Sequence, residues 1–276
     1  MTDRYAVIGH PIAHSKSPQI HKMFAQQTGQ DISYEAILAP LDGFAATVER
    51  LRNEGYKGCN VTVPFKFEAF LLAANRSARA ETATAVNTLK FNGSETFGDN
   101  TDGIGLVNDL KNNLNFKFGG KRILLLGAGG AALGVLLPLL METPRQLVIS
   151  NRTIAKAEEA AQILHSKFGS HINNSTEFVA KSFSELTAQK FDLVVNATSS
   201  GLSDEMPDIP RTILAPGALA YDMLYGHETP FIKFAREQGA RVADGLGMLV
   251  EQAAEAFYIW RGMRPGTAPI LAALRT

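Results

Sequence analysis

The sequence predicts an α/β protein built from two units, and three observations predict it. Short β-branched or apolar runs alternate with amphipathic stretches along nearly the whole chain. One of those runs stops at a glycine-rich turn and continues as a helix pattern. The chain has 276 residues, room for two ordinary domains, and its 45% hydrophobic and 20% charged content is that of a globular protein. No repeat or low-complexity tract interrupts the pattern.

Tyr5 to Ile8 reads as the first strand, and "SKSPQIHKMFAQQTG" as a helix with Ser17 as N-cap and Pro18 at the first helical position. Tyr34 to Leu38 is a second strand. Asp42 to Asn53 is a helix with Phe44, Val48 and Leu51 on one face, closed by Gly55. Gly58 to Val63 is a third strand, stopped by Pro64, and Phe65 to Ala74 the next helix. "AVNTLKFNGSETFGDN" gives two strands joined through Asn92-Gly93, a hairpin signal, and Thr101 to Leu114 a helix. Beyond "NFKFGG" strands are expected at 122–126, 147–150, 178–180, 192–196, 218–222 and 241–243. Helices are expected at 130–141 and 154–167. "SDEMPDIPRTILAPG" is mostly connection. A final helix, 247–261, sets Leu249, Ala253, Ala256, Phe257 and Trp260 on one face, and a short helix follows Pro269. The domain boundary falls near helix 101–114, and the closing helices are expected to return to the first unit.

Composition excludes several function classes. Lys plus Arg and Asp plus Glu are equal at 27 each, so net charge argues for neither nucleic acid nor a membrane surface. Cys59 is the single cysteine, so no internal disulfide and no cysteine metal cluster can form. The six histidines show no short ligand spacing beside carboxylates, and no metal is expected. The opening "MTDRYAVIGHPI" lacks the apolar core of a secretory leader, so a cytoplasmic protein is expected. Ile123 to Met141 carries no charge and is long enough to span a bilayer. Its clustered glycines and Pro138 fit a strand, a tight turn and a helix better.

That turn, "RILLLGAGGAAL", carries chemistry. Gly127, Gly129 and Ala132 fit G-x-G-x-x-G/A between a strand and a helix, the fingerprint of a dinucleotide-binding, Rossmann-type unit. An anion would rest on the free N–H groups of the helix start. A ligand-free βα turn is the bland alternative, which the flanking strand and helix disfavour. The next strand ends "LVISNRT", with no acid to hold a ribose 2′-hydroxyl. Arg152, Thr153 and Lys156 suit a 2′-phosphate instead, so NADP(H) is expected over NAD(H).

Ser15 and Ser17, before a helix start, suit a carboxylate, although alone they read better as a loop serine and an N-cap. Asp102 alone reads as a first-turn acid, and Lys66 alone as a solvated charge. Taken together, "SKSP", "NVTVPFK", "AVNT", "GDNTDG", "GAGGAA", "NRT", "NATSSGL", "YDMLYG" and "GLGMLVEQAA" stand in one order along the chain. From about residue 5 to 276 this set resembles the shikimate dehydrogenase family, within the wider shikimate/quinate dehydrogenases.

The resemblance implies the rest. The fold would be an N-terminal α/β substrate domain plus a Rossmann-type NADP-binding domain, with a cleft between them. Residues 1–101 and 245–276 would form the substrate-binding and catalytic domain, and 102–244 the NADP domain. Lys66 matches the catalytic lysine and Asp102 its acid partner. Ser15 and Ser17 match the serines that hold the shikimate carboxylate, with Tyr225 nearby; Thr62, Asn87, Asp102 and Gln252 match ring-hydroxyl and polar contacts. Gly127, Ala128, Gly129, Gly130 and Ala131 match the diphosphate loop, and Asn151, Arg152, Thr153 and Lys156 the adenosine-phosphate loop. Met223 and Gly245 match positions flanking the nicotinamide. The implied reaction is reversible NADPH-dependent reduction of 3-dehydroshikimate to shikimate, a step of chorismate and aromatic amino-acid biosynthesis, in a monomer or homodimer. Two alternatives stand beside it: a dehydrogenase that also takes quinate, and an NADP-sensing protein without catalysis. The chain departs from the family at His10 and Thr84, both backbone-shaping positions.

Overall fold

The computed structural model describes the chain except residues 1, 94, 170–175, 199, 201–204 and 276. Two compact units emerge, Met1–Gly105 with Leu249–Thr276, and Leu106–Met248. The sequence reading sets these boundaries at 101/102 and 244/245; in the structure Asp102 belongs to the first unit, where its carboxylate is bonded. The chain leaves the first unit within one helix and returns within another.

In the first unit the elements are β1 (Asp3–Gly9), α1 (Ser17–Thr28), β2 (Ile32–Leu38), α2 (Phe44–Asn53), β3 (Gly58–Val61), α3 (Lys66–Leu72), β4 (Asn75–Arg76), α4 (Ala78–Ala83), β5 (Thr88–Asn92) and β6 (Glu95–Asp99). The outgoing helix α5 spans Asp102–Asn108. The sheet order is β2-β1-β3-β5-β6-β4. β1 runs parallel to β2 and β3, whereas β5 pairs antiparallel with β3 and with β6, as expected of a hairpin. Alternate side chains of β1 go to opposite faces, as strand geometry requires. Ala6 and Ile8 join Phe44, Val48, Leu51, Val61 and Phe65 on one side, while Tyr5 stacks on Trp260 on the other, ring centroids 4.6 Å apart.

Four local readings need correction. Ser17 is not an N-cap: Lys16 holds that place, no side chain caps the helix, and Ser17 is the first helical residue with its side chain buried. The strand expected over 58–63 ends at Val61, because Thr62 turns back and its carbonyl accepts from Phe65 N–H at 3.0 Å. The helix expected over 101–114 is α5 followed by a π turn, Asp109–Asn113, in which the Asn113 amide donates to Asp109 Oδ1 at 2.8 Å. The sequence reading also passes over α4, which Ser77 caps by accepting from Ala80 N–H, and which ends at Thr84 with φ +48°.

In the second unit follow β7 (Arg122–Leu126), α6 (Gly130–Met141), β8 (Gln146–Ser150), α7 (Ile154–Phe168), β9 (Glu177–Lys181), β10 (Phe191–Asn196), β11 (Leu214–Asp222), α8 (Pro230–Glu237) and β12 (Arg241–Ala243). The pairings between its described strands are parallel, in the order β12-β11-β10-β7-β8-β9. Counted from β7, this is the doubly wound order 3-2-1-4-5-6, whose direction of winding reverses between β7 and β10. Both faces are covered: Ile123, Leu125 and Ile149 pack into one core cluster, Leu124, Leu126 and Val148 into another. That explains the unbroken apolar run of β7. No described helix is long and apolar enough to cross a membrane. β11 starts four residues before the strand expected at 218, after a shift of register between Phe191 and Leu193 of β10. α8 is also missed from sequence, although Thr229 caps it and Pro230 opens it.

The returning helix α9 (Leu246–Arg261) and α10 (Ala268–Arg275) complete the first unit. Val250, Ala253, Ala254 and Phe257 pack against Ile20 and Phe24 of α1 and Ile270 of α10. The Trp260 indole N–H donates to Leu89 O at 2.9 Å.

His21 lies inside this packing with no exposed surface, stacked on Tyr34 at 4.1 Å between centroids. Neither ring nitrogen has a hydrogen-bond partner among the described residues. Burial disfavours the imidazolium and lowers its pKa to about 3. Above the unfolded value the ring is neutral in both states. As pH falls below about 6.5 the unfolded chain takes up a proton that the folded chain refuses, so stability declines by up to about 1.4 kcal/mol per pH unit. We expect urea unfolding midpoints to drop between pH 7.5 and 5 in the parent chain, and His21→Phe to remove much of that slope. Equal slopes in the two proteins would show that another group sets the acid limb.

Candidate active site

In the first unit the polar groups gather where β1, β3 and β6 end and β5 begins. Thr62 N–H continues the β1 pairing by donating to Ile8 O at 2.9 Å, and His10 N–H donates to Val63 O at 3.0 Å. His10 itself sits with Nδ1 2.8 Å from Ala39 O. Val63-Pro64 is a cis peptide, as is His10-Pro11. Lys66, the first residue of α3, is held through its carbonyl, which accepts from Val86 N–H at 2.9 Å. Its side chain therefore leaves the backbone one residue from Asn87 in the pairing.

Lys66 Nζ donates to Asp102 Oδ2 at 2.6 Å, with the lysine side chain 31% and the aspartate 13% exposed. The other carboxylate oxygen accepts from Asn87 Nδ2 at 2.8 Å. The orientation of that amide is fixed by its oxygen, which takes Thr101 N–H at 2.8 Å and Thr88 O–H at 2.9 Å. Thr88 Oγ1 in turn accepts from Asn60 Nδ2 at 3.0 Å, and Asn60 Oδ1 from Tyr34 O–H at 2.7 Å. Gln252 joins through Oε1, 3.3 Å from both Asn87 Nδ2 and Thr101 Oγ1. Donors and acceptors are thus matched from Tyr34 to Lys66, as a buried polar network requires. An ammonium has three N–H groups, and one of those on Lys66 is engaged by Asp102.

The structure brings Lys66, Asp102, Asn87 and Gln252 into one bonded cluster. Ser15 and Ser17 stand together at the start of α1, where Ser17 N–H donates to Ser15 Oγ at 3.3 Å. Tyr225 belongs to the second unit, where burial raises its phenol pKa. Thr88, Thr101, Asn60 and Tyr34 are not singled out by the sequence reading. A readable signal does exist, since Asn60 and Thr88 are polar residues inside otherwise apolar strands and are buried.

In the second unit the glycine loop follows β7. Gly127 has φ +108°, a region closed to most side chains, and a β-carbon there would lie 3.0 Å from Ala197 O. Gly129 precedes α6 with no side-chain cap, and β-carbons built on Gly129 and Gly130 would meet nothing within 4 Å. Ala128 is half-buried and Ala131 exposed. The start of α6 is therefore uncrowded at its glycines, where the winding reverses, which suits a diphosphate.

After β8, Arg152, Thr153 and Lys156 are exposed, and Asn151 Nδ2 donates to Thr153 O at 3.0 Å. No side chain caps α7 and no acid stands in its first turn. These residues fit a phosphorylated ribose and offer no carboxylate to a free 2′-hydroxyl. Met223 and Gly245 also lie close: a β-carbon on Gly245 would fall 2.2 Å from Met223 O. Of the "NATSSGL" motif, Ser199, Gly201 and Leu202 lie outside the described residues.

Known proteins resemble this chain along nearly its whole length. Family profiles match at residues 7–89 (Shikimate dehydrogenase substrate binding domain), 109–203 (Shikimate / quinate 5-dehydrogenase) and 245–275 (Shikimate 5'-dehydrogenase C-terminal domain). A shikimate dehydrogenase (NADP(+)) of Methylobacillus flagellatus is 59% identical over 274 residues, 99% of each chain. Among solved structures, an Ael1 enzyme from Pseudomonas putida is 48% identical with a TM-score of 0.92, covering 99% of this chain and 98% of that one. A shikimate 5-dehydrogenase from Thermus thermophilus, in complex with NADP(H) and shikimate, is 32% identical with a TM-score of 0.85 and 99% coverage of both. The chain belongs to the NADP(+)-dependent shikimate dehydrogenase family.

Proposed function

We propose that this chain catalyses the reversible NADPH-dependent reduction of 3-dehydroshikimate to shikimate, a step of aromatic amino-acid biosynthesis, with Lys66 and Asp102 as the catalytic pair. The observation that carries the reading is the 2.6 Å Lys66–Asp102 contact, oriented from behind by Asn87. The pair is also tied, through Asn87, to a buried polar network that continues to Thr88, Asn60 and Tyr34.

NADPH supplies the hydride when bound. Gly127 to Ala131 hold its diphosphate, Asn151 to Thr153 and Lys156 its adenosine phosphate, and Met223 and Gly245 flank its nicotinamide. The chain's residues provide the proton and the alignment. Ketone reduction places negative charge on the oxygen, and an ammonium N–H of Lys66 stabilises that charge and hands over a proton. In the oxidative direction the neutral amine takes it back. Asp102 keeps the lysine directed and accepts from a ring hydroxyl of the substrate, helped by Asn87, Thr62 and Gln252. Ser15 and Ser17 hold the carboxylate. A cytoplasmic setting suits a biosynthetic enzyme that draws on NADPH and whose one cysteine, Cys59, is free and buried.

Following NADPH formation by absorbance, with shikimate as substrate, tests the reading. We expect shikimate with NADP+ to give the highest kcat/KM, with quinate and NAD+ each far behind. Equal or better efficiency with NAD+ would refute the cofactor assignment. Equal use of quinate would move the chain to the broad-specificity class.

A further inference from the structure

The second unit buries a carboxylate that this chemistry does not use. Asp109, in the π turn after α5, is 3% exposed. Removing a carboxylate from water costs several kcal/mol unless it is well bonded, and an apolar residue would fill the same space. Tyr221 O–H donates to Asp109 Oδ2 at 2.7 Å, and Asn113 to Oδ1 at 2.8 Å. The first turn of α9 presses directly on the carboxylate, since a β-carbon on Gly247 would fall 2.0 Å from Oδ1. Negative charge is favoured there by the helix dipole. Tyr221 also takes part, because its oxygen accepts from Met248 N–H at 3.3 Å.

Both ends of this contact lead to the residues assigned to the nicotinamide. Tyr221 is followed by Asp222, whose carboxylate accepts from Asn196 Nδ2 at 3.0 Å, Thr229 O–H at 2.6 Å and Leu224 N–H at 3.0 Å. Met223 N–H is tied to Asn196 O at 3.0 Å. Gly247 is two residues beyond Gly245, whose N–H donates to Leu224 O at 2.9 Å. Asp109 therefore touches one segment through Gly247 and the other through Tyr221.

We propose that Asp109 and Tyr221 are positioning residues that set the spacing of Met223 and Gly245 around the nicotinamide. The proposal rests on the reading that those two residues flank that ring. An asparagine at 109 would not serve equally. It could keep an oxygen toward the Tyr221 O–H only by turning its N–H2 onto the Asn113 Nδ2 donor, and it would lose the negative charge that the start of α9 favours.

The test uses the full chain with Tyr221→Phe and Asp109→Asn. Hydrogen exchange of the cofactor-free protein reads residues 245–249, calorimetry reads NADP+ affinity, and steady-state kinetics read both substrates. Loss of a hydrogen bond to a charged group is worth about tenfold or more in an equilibrium. We expect exchange over 245–249 and the Kd for NADP+ each to rise by about that factor, kcat to fall, and KM for shikimate to stay within about twofold. Unchanged NADP+ affinity in folded Tyr221→Phe would overturn the proposal. So would equal losses for both substrates together with a general fall in protection, which is the mark of simple destabilisation. Tyr221→Phe decides the matter if Asp109→Asn does not fold. The parent chain separates the two levels: no turnover of shikimate with NADP+ defeats the functional reading, whereas an active parent with an unaltered Tyr221→Phe defeats only the positioning role.

Discussion

Lys66→Ala is expected to lower kcat by about two to four decades, the usual range for a positioned acid–base group, while shikimate binding changes by only a few-fold. The split follows from the bonding. Lys66 is partly exposed and meets one partner, Asp102, whose other oxygen stays on Asn87 when the lysine is gone. Asn87, Thr101 and Gln252 keep their mutual hydrogen bonds, so the cluster proposed to bind substrate survives. Lys66→Arg refines the result. A guanidinium keeps the charge but does not give up its proton at accessible pH, so activity retained in Lys66→Arg would assign the residue to charge stabilisation. Turnover in Lys66→Ala within a factor of a few of the parent would remove Lys66 from the mechanism altogether.

Arg152→Ala is expected to weaken NADP+ by about one to two decades, from the roughly 1.5–3 kcal/mol of a charge-assisted hydrogen bond, and to leave NAD+ nearly untouched. Arg152 is exposed at an uncapped helix start with no acid in the first turn. A cation in that place opposes the helix dipole, and an external anion relieves the conflict. Lys156→Ala should follow in the same direction with a smaller effect, because its ammonium is a point charge and makes no bidentate fork. The measurement is the ratio of kcat/KM for NADP+ over NAD+ in each variant. Parallel loss with both cofactors would mean that these residues shape the loop and do not read the phosphate.

Much of this site can be read before the fold is known, because its signals are local. The β7 strand, the glycine turn and α6 follow one another in sequence, and α6 spans 130–141 as its pattern predicts. The strand of Val61 and the hairpin at Asn92-Gly93 carry their own propensity. Other features are invisible for a physical reason. Whether Ser17 caps α1 or begins it depends on where Lys16 and Ser15 turn, a matter of a residue or so. The partners that orient Asn87, Thr101 and Thr88, are ordinary hydroxyls until β5 and the start of α5 place them around one amide oxygen. The π turn at Asp109 answers to contacts with Tyr221 and Gly247, more than a hundred residues onward in the chain. By contrast, α8 is legible and overlooked, since Thr229-Pro230 is an ordinary helix-start signal.

The split of the first unit has a consequence for synthesis. Residues 106–248 are contiguous, so that unit can complete its sheet while later residues are still being made. The first unit waits for residues 249–276. Until they arrive, Leu89 O lacks the Trp260 indole, Arg79 lacks Glu255, and Ile20 and Phe24 have no apolar cover from α9. The hydrophobic face of α1 is then bare on the nascent chain, for as long as residues 249–276 take to emerge. Domains generally fold from the N-terminus as they emerge, and here that order is reversed. Gln252 arrives with the same segment, so the bonded Lys66–Asn87–Asp102 cluster is completed only when residues 249–276 have emerged.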